Sequence, residues 1–313
     1  MGQYIFGIDI GGTTVKCGLF TKEGELLEKW EIVTRREEKG AHILPDVAGT
    51  ILSKCEEKGI RKDDVCGIGL GIPGPVTEDG VVLKCANLGW DITPAARQME
   101  ELTKIPVKAG NDANVAALGE MWKGGGIGYE DVVMVTLGTG VGGGVIIGGR
   151  IVAGSNGAGG EIGHMIVNPR EDALCGCGGH GHLEQYASAT GIVRMAKKRL
   201  AADNTASKLR EFPELSAKNV FDCAKEQDSI ACDLVDMLGE YLALALTHVA
   251  AAVDPQVFVI GGGVSRAGEI LLDAVRRHYN ENILFALRNK EFRLAKLGND
   301  AGIYGSARLV VNG

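Results

Sequence analysis

Two histidines and two cysteines with the spacing of a metal site lie in the middle of the chain. Cys175 and Cys177 are one residue apart, His164 lies eleven residues before Cys175, and His182 lies five residues after Cys177. Thiolate and imidazole are the usual zinc ligands, and four of them form a closed tetrahedral site that shapes a loop without activating water. The pattern therefore predicts a structural Zn²⁺ site, the alternatives being a vicinal disulfide or two inert thiols.

Two glycine-rich turns could hold a polyphosphate. Each follows an apolar strand, and glycines at such turns expose backbone N–H groups to phosphate oxygens. The first turn also carries a carboxylate, two hydroxyls and a lysine, which suit a metal-bound polyphosphate. The candidate residues are Asp9, Gly11, Gly12, Thr13, Thr14 and Lys16 in the first turn, and Gly138, Thr139 and Gly140 in the second.

Both turns also have plainer explanations. The first could be a simple hairpin turn and the second a structural bend. Residues 138–145 match the dinucleotide and protein-kinase glycine patterns as well. A dinucleotide fingerprint must open a helix, however, whereas a strand follows here, and the HRD and DFG segments of a protein kinase are missing from the sequence. Phosphate binding remains the functional interpretation.

Asn111 and Asp112 stand where a predicted strand meets a predicted helix. Phosphoryl transfer to a hydroxyl needs one positioned carboxylate that accepts the proton, and the end of a strand is a suitable place for it. The alternative is an ordinary helix N-cap, which contributes about 1 kcal/mol.

Three further segments suit a ligand site. Gly261, Gly262 and Gly263 follow a strand and would let an adenosine approach, or they simply make a turn. Glu161 and Glu184 bracket the Cys/His loop and could accept hydrogen bonds from a polyol. Asn87 lies near Trp90, which could form a sugar platform, although tryptophan is more often part of a core.

The elements predicted around these residues repeat. Residues 5–19 and 133–147 each read as a strand, a glycine turn and a return strand. The strands are predicted at 4–9 and 14–20 in the first segment and at 131–137 and 144–147 in the second, and a long helix is predicted at 230–253. Such a duplication predicts two similar α/β domains whose glycine hairpins face each other across a cleft. We place the smaller domain at residues 1–122 and the larger, with the zinc loop, at 123–301.

Composition excludes several kinds of partner. The 313 residues carry a formal net charge of −7, with 33 basic and 40 acidic side chains spread along the chain, so no basic field is present for nucleic acid or an anionic membrane. The longest later apolar stretch, residues 242–253, is too short to span a bilayer. We expect a cytoplasmic protein with neither nucleic-acid nor membrane partners.

Taken together and in order, these segments resemble the ROK family, which groups repressors, open reading frames and kinases. The resemblance covers nearly the whole chain, and it is closest to family members that phosphorylate glucose. It is carried by the segments IDIGGT (8–13), GIPGPV (71–76), ANLGW (86–90), NDAN (111–114), LGTGVGGG (137–144), GEIGHM (160–165), CGCGGHGHLE (175–184) and GNDAGIYGSA (298–307).

The resemblance implies an actin/hexokinase-like fold, a duplicated ribonuclease H-like α/β architecture with an interdomain cleft. Residues 302–313 would form a helix that packs back on the first domain. It also implies ATP-dependent phosphorylation of glucose at the 6-hydroxyl and a homodimer. The same fold could instead act on fructose, mannose or an N-acetylated hexosamine. Two non-catalytic functions also stay open: a sugar-responsive repressor, which would need a DNA-binding segment before Tyr4, and a catalytically silent sugar-binding protein.

Individual roles follow from the same resemblance. Asp112 would be the general base, and Asn87, Asn111, Glu161, His164 and Glu184 would hold sugar hydroxyls. The two glycine turns would hold the phosphates of ATP, Asp9 would act through Mg²⁺, and residues 261–263 would border the adenosine. Where the family usually has a third cysteine this chain has His182, so we expect a Cys₂His₂ zinc site, with His180 as the alternative ligand.

Overall fold

The structure, a computed structural model, describes residues 2–202 and 204–311. Its strands are β1 (Tyr4–Ile10), β2 (Thr14–Thr21), β3 (Leu26–Val33), β4 (Val65–Ile72), β5 (Val107–Asn111), β6 (Val132–Leu137), β7 (Val141–Ile147), β8 (Arg150–Ile151), β9 (Val257–Gly261) and β10 (Glu291–Leu294). Its α-helices are α1 (Glu37–Gly40), α2 (Ile43–Glu57), α3 (Ala95–Thr103), α4 (Asp112–Lys123), α5 (Glu184–Ala187), α6 (Ala189–Ala202), α7 (Ala217–Lys225), α8 (Ser229–Val253), α9 (Glu269–Asn282) and α10 (Ala301–Val311).

Two compact units make up the described chain. The first contains the residues up to Glu130, the excursion Gly144–Gly160 and the chain from Leu297 onward; the second contains Asp131–Gly143 and Glu161–Lys296. The excursion Gly144–Gly160 therefore belongs to the first unit, whereas the sequence assigned it to the second domain.

The first sheet has the strand order β3-β2-β1-β4-β5. Strands β1 and β2 form the predicted antiparallel hairpin, while β1, β4 and β5 are parallel. Asp9 pairs with Gly71, and Gly71 pairs with Gly110, so the carboxyl ends of three strands lie in one row. Asp9 and Asp112 consequently belong to one edge of this sheet, two strands apart, or roughly 10 Å at the usual strand spacing.

Helix α10 packs on the first sheet and on α4. The contact is close because glycine stands where backbones meet: a Cβ added to Gly69 would lie 1.7 Å from the Ser306 carbonyl oxygen, and one on Gly305 1.7 Å from that of Val115. The Ser306 hydroxyl also donates a 2.8 Å hydrogen bond to the Ile8 carbonyl. The last helix is thereby fixed to the strand that ends at Ile10, one residue after Asp9.

The second sheet has the order β10-β9-β6-β7-β8, with β10, β9 and β6 parallel. Strand β7 begins at Val141, so the glycines that follow Gly140 are strand residues instead of a loop. In the described part of the chain, no helix combines the length and the apolar character needed to cross a membrane.

Candidate active site and metal-ligand cluster

Asp112 is the first residue of α4 and is fixed by its neighbours. Its Oδ1 accepts hydrogen bonds from the Ala113 N–H at 2.8 Å and from Asn111 Nδ2 at 3.0 Å. Asn111 caps the helix, since its Oδ1 accepts from the Asn114 N–H at 3.1 Å, and its Nδ2 also donates to the Gly74 carbonyl at 3.0 Å. Asn111 is therefore both the N-cap and the group that orients the carboxylate.

The loop that carries Asn87 approaches both Asp112 and the first glycine turn. Burial raises the pKa of the Cys85 thiol, and the negative charge of Asp112 adds to this effect. Asn87 is exposed, and its backbone oxygen lies 3.9 Å from the position of a Cβ on Gly12. Trp90, by contrast, is 6% exposed and donates to the Gly40 carbonyl, so the expected sugar platform is wrong: this ring belongs to the core.

Asp9 lies near the end of β1 beside Lys16, its cross-strand partner. Lys16 Nζ lies 3.9 Å from Asp9 Oδ2 and donates to the Asn299 carbonyl at 3.1 Å. Burial raises the pKa of the Asp9 carboxyl, and Lys16 partly opposes this. A carboxylate in such surroundings is stabilised as an anion by a bound cation, which is consistent with a magnesium role.

The first glycine turn is closed by its own backbone. The Gly11 N–H donates to the Thr14 carbonyl at 3.0 Å, and the Gly11 carbonyl accepts from the Thr34 hydroxyl at 2.7 Å. The Gly11 N–H is thus engaged within the turn. Thr13 is exposed, and Thr14 is the first residue of β2.

The second glycine turn lies against Glu184. The Gly138 N–H donates to the Gly140 carbonyl at 2.9 Å, and Glu184 Oε2 accepts from the Val141 N–H at 3.1 Å. A Cβ on Gly140 would lie 2.2 Å from the same Glu184 oxygen, so a side chain at this position would displace the carboxylate. The structure therefore joins Glu184, predicted as a sugar ligand, to the predicted phosphate turn.

The third glycine turn lies beside the second one. Gly262 has φ +83°, and its Cβ position is 2.5 Å from the carbonyl oxygen of Leu137, the residue before Gly138. Gly261 ends β9 next to Thr136 of β6, and Gly263 leads into a short 3₁₀ turn. The second unit thus brings together the two predicted nucleotide-binding turns.

The four predicted metal ligands converge within the second unit. The ligand atoms of this cluster all lie within 4.8 Å of one another, and His180 is not among its members: His164, Cys175, Cys177 and His182. Zinc bonds of about 2.0–2.3 Å in a tetrahedron place ligand atoms roughly 3.3–3.8 Å apart. The donor set therefore fits zinc after a contraction of about 1 Å.

The polar contacts around this cluster link it to the predicted sugar ligands. Cys177 Sγ lies 3.2 Å from His182 Nδ1, and Cys175 Sγ lies 3.7 Å from Glu184 Oε1. Burial raises the pKa of the Cys175 thiol, a direction that zinc would reverse because it binds thiolate. Glu161 is exposed, and its Oε2 lies 3.9 Å from His164 Nε2.

Two residues that support the second glycine turn were missed at the sequence level. The Thr190 hydroxyl donates to the Thr139 carbonyl at 2.7 Å, and the Ser188 hydroxyl donates to the Glu184 carbonyl at 2.6 Å. The Ala189 N–H also donates to the Gly138 carbonyl at 2.8 Å. Ser188 directly precedes α6 and accepts from the Gly191 N–H at 2.9 Å, and a hydroxyl in front of a helix is a typical capping signal that could have indicated its role.

Comparisons with known proteins agree on one family. The model of the ROK family matches residues 5–312. The chain is 42% identical to a glucokinase of Halalkalibacterium halodurans over 98% of this chain and 95% of that protein. It is 35% identical to a glucokinase of Thermotoga maritima, covering 98% and 96%.

A solved structure of a ROK family glucokinase from Streptomyces griseus, in complex with glucose and AMPPNP, is 34% identical and has a TM-score of 0.74. The alignment covers 99% of this chain and 100% of that one. The two sheets and their helices thus have the actin/hexokinase-like α/β fold that the sequence predicted.

Proposed function

Because this chain belongs to the ROK family, we propose that it is an ATP-dependent glucokinase that phosphorylates the 6-hydroxyl of glucose. The observation that carries this proposal is Asp112, whose Oδ1 is held by Asn111 Nδ2 and the Ala113 N–H at the start of α4. A carboxylate fixed in this way is suited to accept one proton from a sugar hydroxyl.

In the proposed reaction, O6 of the sugar attacks the γ-phosphorus of ATP and Asp112 accepts the O6 proton. The bond between the γ-phosphorus and the bridging oxygen breaks, and ADP leaves with that electron pair. The products are glucose 6-phosphate, ADP and one proton, which Asp112 returns to water. Catalysis of this kind depends on positioning and on charge stabilisation more than on covalent chemistry.

The other residues have binding roles in this proposal. The remaining sugar hydroxyls are held by Asn87, Asn111, Glu161, His164 and Glu184. The phosphates of ATP are held by the glycine turns at residues 11–14 and 138–140, with Lys16 nearby. Asp9 is the group that would hold Mg²⁺, which neutralises charge on the phosphates. Residues 261–263 border the adenosine.

We also propose a structural zinc ion held by His164, Cys175, Cys177 and His182. What supports it is a set of two thiols and two imidazoles whose donor atoms lie within 4.8 Å. Four protein ligands leave no open position, so zinc would stabilise the loop that carries Glu184. His164 would use one ring nitrogen for zinc and the other for sugar. A homodimer and a cytoplasmic location remain predictions.

A coupled ATP assay across hexoses tests the proposal. We expect the highest kcat/KM for glucose among glucose, fructose, mannose, N-acetylglucosamine and N-acetylmannosamine. Asp112→Asn should lose about 10²–10⁴-fold in kcat and retain glucose binding by calorimetry. Asp63→Asn, which removes an exposed carboxylate in a 3₁₀ turn of the same unit, is the matched control.

Each contrary outcome leads to a different conclusion. A preference for fructose or N-acetylmannosamine would replace glucose as the substrate. Sugar binding without turnover by the unmodified protein would indicate a regulator. Near-normal turnover by Asp112→Asn would remove Asp112 from the role of base.

A further inference from the structure

A buried carboxylate outside the residues already discussed collects three hydrogen bonds in the second unit. Glu171 has a side chain 9% exposed, and its Oε2 accepts from the Tyr186 hydroxyl at 2.8 Å and from Arg194 Nη2 at 2.9 Å. Its Oε1 accepts from the Ala173 N–H at 3.2 Å. These donors outweigh burial and lower the pKa of Glu171 to about 2, so the group is an anion with specific partners.

Tyr186, which donates to Glu171, is held on three sides. Its hydroxyl accepts from Asn168 Nδ2 at 2.9 Å, its ring lies 4.2 Å from that of Tyr241, and the Arg194 guanidinium lies 5.4 Å above the ring. Tyr186 stands two residues after Glu184. Its position therefore fixes the backbone that presents Glu184.

Gln185 joins the two ends of the Cys/His loop. Its Nε2 donates to the Ala173 carbonyl at 2.8 Å, and its Oε1 accepts from the His182 N–H at 3.1 Å. Its own carbonyl accepts from Arg194 Nη2 at 3.1 Å. The segment before Cys175 and the segment after His182 are thus fastened to each other and to α6.

These hydrogen bonds help to order a loop that would otherwise have high backbone entropy. Four of the six residues between Cys175 and His182 are glycine, and glycine loses the most backbone entropy when it is ordered. Arg194 also bridges the two sides of this arrangement, because its Nη2 donates to Glu171 Oε2 at 2.9 Å and to the Gln185 carbonyl at 3.1 Å. Both observations favour a positioning role over simple packing.

We propose that Glu171, Tyr186 and Arg194 form a clamp that positions the Cys/His loop and Glu184. The Glu171 clamp holds Glu184 at the Val141 N–H and brings together His164, Cys175, Cys177 and His182. This proposal rests on the proposed function, because it assigns the clamp a part in sugar binding. Its members are positioning residues and do not touch the reacting atoms.

Tyr186→Phe tests the clamp, and Tyr241→Phe is the matched control. Each change removes one phenol oxygen from the stacked pair, but only the Tyr186 hydroxyl reaches Glu171; that of Tyr241 makes no hydrogen bond within residues 2–202 and 204–311. We expect Tyr186→Phe to raise the glucose KM on the order of tenfold and to change kcat less than about threefold, since uniform binding is lost. Zn²⁺ affinity, measured by competition with a chromophoric chelator, should fall by about tenfold. Tyr241→Phe should leave both within about twofold of the unmodified protein.

A double-mutant cycle with Glu171→Gln completes the test. If the two side chains act through one hydrogen bond, the double variant should cost no more in glucose KM and Zn²⁺ affinity than Glu171→Gln alone. If Glu171→Gln does not fold, the glucose KM and Zn²⁺ affinity of Tyr186→Phe, which loses a single oxygen, test the clamp without it. Equal KM and Zn²⁺ affinity for Tyr186→Phe and Tyr241→Phe would overturn the clamp.

The clamp and the proposed function can fail separately. If the unmodified protein phosphorylated no hexose, the proposed function would be wrong. The Zn²⁺ affinities of Tyr186→Phe and Tyr241→Phe would still test the clamp. If the unmodified protein phosphorylated glucose and both tyrosine variants kept its KM and Zn²⁺ affinity, only the clamp would be lost.

Discussion

Replacing Glu171 by glutamine should destabilise the protein most at neutral pH. The pKa of this carboxyl falls from 4.5 to about 2 in the folded state. At 1.36 kcal/mol per unit of pKa, the difference stabilises the folded state by about 3 kcal/mol at pH 7. The side chain is 9% exposed, so solvent screens this interaction little. Glutamine keeps the shape of the glutamate side chain but loses its negative charge. Its amide NH₂ group is itself a donor and can face the donors Tyr186 and Arg194.

The same numbers fix how the effect depends on pH. Because folding lowers the pKa of Glu171, its stabilisation is complete well above pH 4.5 and is lost as the pH falls toward about 2. At pH 3 the carboxylate of the folded protein is still mostly ionised, whereas that of the unfolded chain is mostly protonated. About 1 kcal/mol then remains, so the difference in stability between the unmodified protein and Glu171→Gln should shrink by about 2 kcal/mol between pH 7 and pH 3.

Urea unfolding followed by far-UV circular dichroism at pH 7 and pH 3 measures this difference. Both proteins are freed of metal with a chelator, because the thiol and imidazole ligands release zinc in acid. Glu214→Gln is the matched control, since Glu214 is exposed and makes no ion pair in the described residues. Its effect should stay within about 0.5 kcal/mol at both pH values. A cost for Glu171→Gln that is equally large at pH 3 and pH 7 would refute the assigned charge interactions.

Three further predictions concern packing, metal and nucleotide. Gly69→Ala should cost about 1–3 kcal/mol in urea unfolding because its Cβ would meet the Ser306 carbonyl, whereas Gly49→Ala, in the middle of α2 with nothing within 4 Å, should stabilise by up to about 1 kcal/mol. His182→Ala should weaken Zn²⁺ binding in a chelator competition by more than about 100-fold, and an equal loss for His180→Ala would reverse the ligand assignment. Gly140→Ala should displace Glu184 from the Val141 N–H and raise the KM for ATP or glucose; unchanged kinetics would contradict that contact.

Elements with a strong apolar pattern were predicted well from the sequence. The strand predicted at residues 4–9 is β1 at Tyr4–Ile10, and the long helix predicted at 230–253 is α8 at Ser229–Val253. Both elements bury most of their apolar side chains, and a sustained apolar run of the right length is the signal that a sequence displays directly.

Helix α7, Ala217–Lys225, was missed because its start signal is unusual. Its capping box joins Ser216 to Asn219, whereas the common signal has glutamate or glutamine at the third helical position. Strand β7 was predicted three residues too short because its first residues are mostly glycine, which carries no periodic signal.

Contacts between distant residues were beyond reach of the sequence. Arg194 lies 23 residues after Glu171, and no local pattern connects them. Trp90 was predicted to be a sugar platform because of its aromatic ring. In the fold its ring N–H donates to the carbonyl of Gly40, which lies 50 residues earlier, and no local pattern indicates this contact. Motif spacing found the candidate ligands, whereas the groups that hold them in place emerge only when helices and loops pack together.

The fourth metal ligand shows why spacing alone could not separate His180 from His182. Both histidines follow Cys177 at distances that a glycine-rich loop can close. In the structure Ile166 pairs with His182 in an antiparallel bridge, which brings His182 beside the segment that carries His164. Leu174 pairs with His180, which is exposed, and Gly181, with φ +66°, turns the chain between the two histidines. The bridge to Ile166 thus places His182, and not the exposed His180, with the other three ligands.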